Sequence, residues 1–149
     1  MTSQAPAGTQ AAEEWAREYV QAWGAHDPSA VTAYLAEDAV VEDVALRVRC
    51  ESRDEVAQYV QSLHDTTSTD YRIELTSAFG DGDHVALEWI VEGTNDRADP
   101  ARGLPATGRR FRTPGASLTW LRGGRVVRDR HYYDLAGFLQ QVGLVPTPR

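Results

Sequence analysis

His131 lies in the middle of Asp129-Arg-His-Tyr-Tyr-Asp134, a run with the composition of a β-strand. An imidazole titrates near physiological pH, so a histidine turned into a pocket from such a strand can serve as general base or acid. Alternation puts Val127, Asp129, His131 and Tyr133 on one face, and Arg128, Arg130, Tyr132 and Asp134 on the other. One of these faces must be the pocket. Asp43 falls within Ala39–Leu46, a second strand-like run. An inward, partly desolvated carboxylate has a raised pKa and becomes a competent base near neutrality. Tyr19 belongs to an apolar helical stripe, from which its phenol would point at the sheet and could donate to a developing enolate. Each group also has a plainer role. Asp43 could face solvent at a strand end, Tyr19 could bond a backbone carbonyl in the core, and His131 could bond across the sheet to an acid such as Glu88.

Other chemistries are excluded by what the chain lacks. It has no lysine, all 15 basic residues being arginine, so a lysine Schiff base is impossible. Cys50 stands alone, which rules out an intrachain disulfide and a cysteine zinc cluster. No glycine-rich phosphate loop follows a strand, and no two histidines share metal-ligand spacing with a carboxylate on one element. Neither a cofactor nor a metal is expected. The net charge of −7 argues against a nucleic-acid or anionic-membrane partner. With no membrane-length apolar run and no signal-peptide order at the start, a cytoplasmic location is expected.

The elements that must position these groups follow from periodicity. Residues 1–9 are small and polar and read as a disordered tail, leaving residues 10–149 as one domain. Ala12, Trp15, Ala16, Tyr19, Val20 and Trp23 recur at helical spacing. Asp27 and Pro28 start a short second helix, and a third runs from Arg53 through Val56, Tyr59, Val60 and Leu63. The pattern then switches to period two. Strands are predicted at Tyr71–Phe79, His84–Thr94, Arg109–Leu121 and Arg125–Tyr133, with a last short helix near Leu135. Between them Asp96, Arg97, Asp99 and Arg102 form a charged loop, read as a solvated pocket rim, while His26, His64 and His84 fall at helix ends or turns, where exposure is expected. Three helices followed by a meander define an α+β layer architecture, and the lack of βαβ alternation argues against a doubly wound sheet.

Three segments resemble a known superfold. Tyr34-Leu-Ala-Glu-Asp-Ala-Val-Val-Glu-Asp43 is similar to the stretch of ketosteroid isomerases that ends in their catalytic aspartate. Gly103-Leu-Pro-Ala-Thr-Gly-Arg109 resembles a loop of SnoaL-like proteins, and Gly124-Arg-Val-Val, Tyr132-Tyr-Asp-Leu-Ala-Gly and Gln141-Val-Gly143 resemble their closing strand and helix. The resemblance to SnoaL-like, ketosteroid-isomerase-like members of the nuclear-transport-factor-2-like superfamily spans residues 12–144. It implies a curved, mostly antiparallel sheet with three N-terminal helices forming a cone-shaped pocket, a cystatin-like α+β roll.

The resemblance also implies roles. Asp43 matches the proton-shuttling carboxylate of the isomerases, and Tyr19, 24 positions earlier, matches their oxyanion-hole tyrosine. His131 falls where SnoaL-like cyclases carry their acid–base aspartate, which favours its face as the pocket face. Ser117 replaces the second oxyanion acid of the isomerases and the histidine of the cyclases. Trp89-Ile-Val91 and His131 replace the Arg-x-Asp pair and second aspartate of limonene-epoxide-hydrolase relatives, which argues against epoxide opening by that route. Trp89, Tyr133, Ser117, Trp23, Tyr59 and Phe111, with Trp15, are the expected substrate-binding lining. The implied function is a cofactor-independent isomerase, cyclase or dehydratase for a hydrophobic cyclic or polyketide-like carbonyl compound. A non-catalytic carrier or drug-sequestering protein of the same fold is the alternative, and a pure dimerisation module a third. A homodimer through the convex sheet face, around Leu118 and Trp120, is the expected assembly.

Overall fold

The computed structural model describes residues 7–148. Most of the tail expected over residues 1–9 lies outside them, and helix α1 (Ala7–Trp23) already begins at Ala7. Its stripe of Ala12, Ala16, Tyr19, Val20 and Trp23 is buried, as 3.6-residue periodicity requires. Gly24 and Ala25 close the helix with backbone bonds to Val20 and Ala22. Helix α2 (Pro28–Thr32) is capped by Asp27, whose carboxylate accepts the Ser29 N–H, with proline at its first turn. Helix α3 (Arg53–Thr66) starts on Ser52, which accepts the Glu55 N–H, and buries Val56 and Val60.

One six-stranded sheet carries the rest. Its strands are β1 (Leu35–Asp43), β2 (Val48–Cys50), β3 (Arg72–Gly80), β4 (His84–Thr94), β5 (Arg110–Arg122) and β6 (Arg125–Tyr133), in the order β2-β1-β6-β5-β4-β3. All neighbours are antiparallel except β1 and β6, which run parallel. Helix α4 (Leu135–Gln141), capped by Asp134, follows β6. None of the described helices is long and apolar enough to cross a membrane.

Three local readings need correction. The strand predicted at Ala39–Leu46 starts earlier, at Leu35, and stops at Asp43, because the Asp43 Oδ1 accepts the Leu46 N–H (2.8 Å) and Arg47 takes φ +58°. That turn throws the chain back as β2, three residues too short to announce themselves by alternation. On β6 a bulge skips Val127: Leu121 pairs with Val126, while Trp120 pairs with Arg128. The core residue is therefore Val126, fully buried, and the expected face holds only from Asp129 onward.

Candidate functional site

Sheet register assembles the site in rows. Side chains directly opposite on adjacent strands share a face, so Leu87, Ser117, His131 and Asp43 form one row and Val85, Thr119, Asp129 and Val41 the next. The helices cover this face. The opposite face carries Glu88, Ala116 and Tyr132, then Ala86, Leu118 and Arg130. Glu88 and His131 are thus on opposite sides of the sheet, and the expected bond between them is replaced by one to Asp129.

Asp129 is the centre of the first cluster. Its side chain is fully buried, and its Oδ2 accepts the Tyr19 hydroxyl at 2.5 Å and faces the His131 Nε2 at 2.9 Å. A buried carboxylate without partners would be strongly disfavoured, and these two contacts hold it in place. Tyr19 is fixed by stacking on Trp15 at 4.6 Å between ring centroids, while Trp23 packs edge-on against His131 at 4.9 Å. Burial raises the Tyr19 phenol well above its ordinary value, and the neighbouring Asp129 raises it further. For His131, burial pushes the pKa down, but attraction to Asp129, their hydrogen bond and the charge of Asp43 outweigh it, so the net shift is upward. With Nε2 engaged by Asp129, Nδ1 is the ring nitrogen without a hydrogen-bond partner among the described residues.

Asp43 makes a second cluster. Its Oδ2 accepts the hydroxyls of Tyr59 (2.5 Å) and Tyr133 (2.9 Å), and its Oδ1 the Leu46 amide. Burial and then the Asp43 charge push both phenols upward. Asp43 is 2 % exposed and lies outside the lining of the cavity described next, behind the two tyrosines it binds.

That cavity has a free volume of about 170 Å³ and opens beneath the helices. His131, Tyr19, Trp23, Tyr59, Trp89, Phe111, Ser117 and Tyr133 all line it, whereas Trp15 backs Tyr19 from outside. Trp89 lies over Gly115, where a Cβ would come within 2.3 Å of its ring, and this close approach lets its indole N–H donate to the Ser117 Oγ at 2.9 Å. The Ser117 hydroxyl proton is left without a protein acceptor among the described residues, directly across the strand pair from His131. Of the charged loop expected as the rim, Arg97, Asp99 and Arg102 line the cavity, Asp99 being buried and paired with Arg102 at 2.8 Å, whereas Asp96 lies outside the lining and accepts the Thr69 N–H at 2.9 Å. Of the other histidines, His84 is exposed, but His26 is half-buried, stacked on Tyr71 at 3.9 Å with its Nε2 against the Tyr71 carbonyl.

Asp129 had no assigned role in the sequence, and Tyr59 was expected as cavity lining but not as a partner of Asp43. The signal for Asp129 was present, two residues before His131 on the same strand face. Nothing local links Tyr59 to Asp43, because the contact depends on how α3 crosses β1.

A helix-covered, curved α+β sheet holding a buried histidine–aspartate pair in an aromatic cavity defines a small-molecule site of the roll type. The chain belongs to the SnoaL-like domain family, whose sequence profile matches residues 16–129. Among solved structures it is similar to a protein of ketosteroid isomerase-like fold from Catenulispora acidiphila in complex with trimethylamine. That match has 25% identity and a TM-score of 0.77, covering 91% of this chain and 98% of the other. A candidate polyketide cyclase of Xanthomonas campestris pv. campestris has 29% identity and a TM-score of 0.75, covering 91% and 99%. An epoxide hydrolase of the limonene-epoxide-hydrolase-like type from M. tuberculosis, at 18% identity and TM-score 0.66 over 90% of each chain, shares the fold. No curated protein matches the sequence.

Proposed function

We propose that this protein is a cofactor-independent acid–base enzyme that moves a proton next to a carbonyl in a flat, hydrophobic, polyketide-like substrate. The observation that carries the reading is the buried Asp129 carboxylate, which holds His131 on the cavity wall by a 2.9 Å contact and raises its pKa. In this reading the His131 Nδ1 takes the proton from the carbon beside the carbonyl. The electron pair of that C–H bond moves onto the carbonyl oxygen as an enolate. The resulting imidazolium, stabilised by Asp129, returns the proton, either to the same carbon frame or to an oxygen generated when the enolate closes a ring. Isomerisation and cyclisation share this first step, and the likeness to a candidate polyketide cyclase supports the second.

The oxygen needs a donor. Tyr19, the expected one, has its hydroxyl committed to Asp129. Ser117 is the better candidate: its Oγ accepts the Trp89 indole N–H, its own proton has no protein acceptor among the described residues, and its side chain lines the cavity on the strand next to His131. Asp43, the expected base, accepts three donors and is screened by Tyr59 and Tyr133, so its work is to hold those two walls.

The test uses β-tetralone, an aromatic ketone with acidic protons beside its carbonyl, in heavy water with proton NMR as the readout. Wild-type protein is expected to accelerate their exchange for deuterium, and His131→Ala to slow it by about two to four powers of ten while still binding the ketone. Binding without exchange in the wild type would instead assign the protein to ligand sequestration.

A further inference from the structure

The cavity is apolar and aromatic inside, and its fully charged side chains gather at the mouth. Asp99 and Arg102 neutralise each other at 2.8 Å, leaving the Arg97 guanidinium with no ion-pair partner within contact among the described residues. The charged side chains that line the cavity, Arg97, Asp99 and Arg102, thus sum to +1, with the Asp65 carboxylate near enough to feel the Arg97 charge, in a chain whose overall charge is −7. Arg102 also has guanidinium donors beyond the one given to Asp99, and it lines the same cavity as Tyr133.

These arginines do not ride on a loose loop. Asn95, 4 % exposed, accepts the backbone N–H and the hydroxyl of Thr107 at 3.0 Å each and donates to the Thr67 carbonyl, tying both ends of the loop to α3. Inside it Asp99 and Leu104 pair as an isolated bridge, and Gly103 turns the chain at φ +68°. The backbone that carries both arginines is thus tied down beside an aromatic cavity, and the Arg102 guanidinium is fixed on Asp99.

Resting on the reading of the cavity as an acid–base site, we infer that the substrate is an aromatic carboxylic acid, its rings among Trp23, Trp89 and Tyr133 and its carboxylate bound at the mouth by Arg97 and Arg102. A planar guanidinium matches a carboxylate in two parallel hydrogen bonds. Fixing the acid end at the mouth also fixes which carbonyl reaches His131, so the subsite selects the position of reaction as well as the ligand.

The probes are β-naphthoate and its uncharged isostere β-naphthamide, with affinity read from quenching of tryptophan fluorescence in the intact protein. Wild type is expected to prefer the acid by about fivefold, a preference that shrinks as salt is added. Arg97→Gln should reduce it, and the double change Arg97→Gln with Arg102→Gln should abolish it while amide affinity stays the same. Equal affinities in the wild type would overturn the proposal. So would an acid preference that survives the double change but disappears in His131→Gln, since the carboxylate would then sit at the bottom of the cavity. Binding of neither probe would overturn the aromatic-cavity reading itself, and the subsite with it.

Discussion

Two buried carboxylates sit near the cavity with different neighbours. Asp129 is bound to a titratable imidazole that opens onto the cavity, and Asp43 to two phenols that close it off. Asp43 is inward, as its place on the strand required, but it is covered by phenols that come from α3 and from the end of β6, which spacing along the chain does not reveal. For Asp43→Asn the expected result is a loss of about 2 kcal/mol in denaturant unfolding, because two buried phenols lose a charged acceptor. Proton exchange on β-tetralone should fall less than in His131→Ala. Linkage at His131 has a definite sign. Its raised pKa means that the stabilisation from Asp129 is fully present below the unfolded value of about 6.5 and fades as pH rises through the higher folded value.

At the level of elements, the site is made by register more than by loops. Cross-strand pairing puts Leu87, Ser117, His131 and Asp43 in line, and a single glycine lets Trp89 lie flat across β5. Gly115→Ala would set a Cβ against that ring, so an unfolding loss of about 1–3 kcal/mol and a shifted tryptophan emission are expected. An unchanged emission would mean that the indole was not held there. The period-two runs of β3 to β6 and the helical stripe of α1 were legible because each repeats over many residues. What alternation could not supply was the Val127 bulge, the three-residue β2 and the half-buried His26. The bulge and β2 depend on the register of a neighbouring strand, Leu121 facing Val126 and Val41 facing Cys50, and His26 depends on Tyr71, 45 residues away.

On the scale of the molecule, the convex face leaves Leu118 42 % exposed, beside Trp120 with the Arg128 guanidinium stacked 4.9 Å from its ring. Arg49, Arg128 and Arg130 surround Glu42 at the β1–β6 side of this face, while Glu88 and Glu92 lie on β4 toward the other edge. Glu92 is itself paired with Arg72 and Arg112, so the case for this face rests on the apolar strip at Leu118, which a two-fold axis across the sheet would cover. We expect a dimer in sedimentation at micromolar concentration and a monomer for Leu118→Glu. A wild-type monomer would argue against this face as an interface.

If Asp129 keeps His131 poised as the base, the pH profile of β-tetralone exchange must carry the imprint of that pair. In wild type the rate should rise with pH through a midpoint above about 6.5 and then level, because only the neutral imidazole accepts a proton. In Asp129→Asn the upward pull is removed and burial remains, so the midpoint should move to lower pH while the plateau falls. A flat profile, or a midpoint that does not move in Asp129→Asn, would contradict the account.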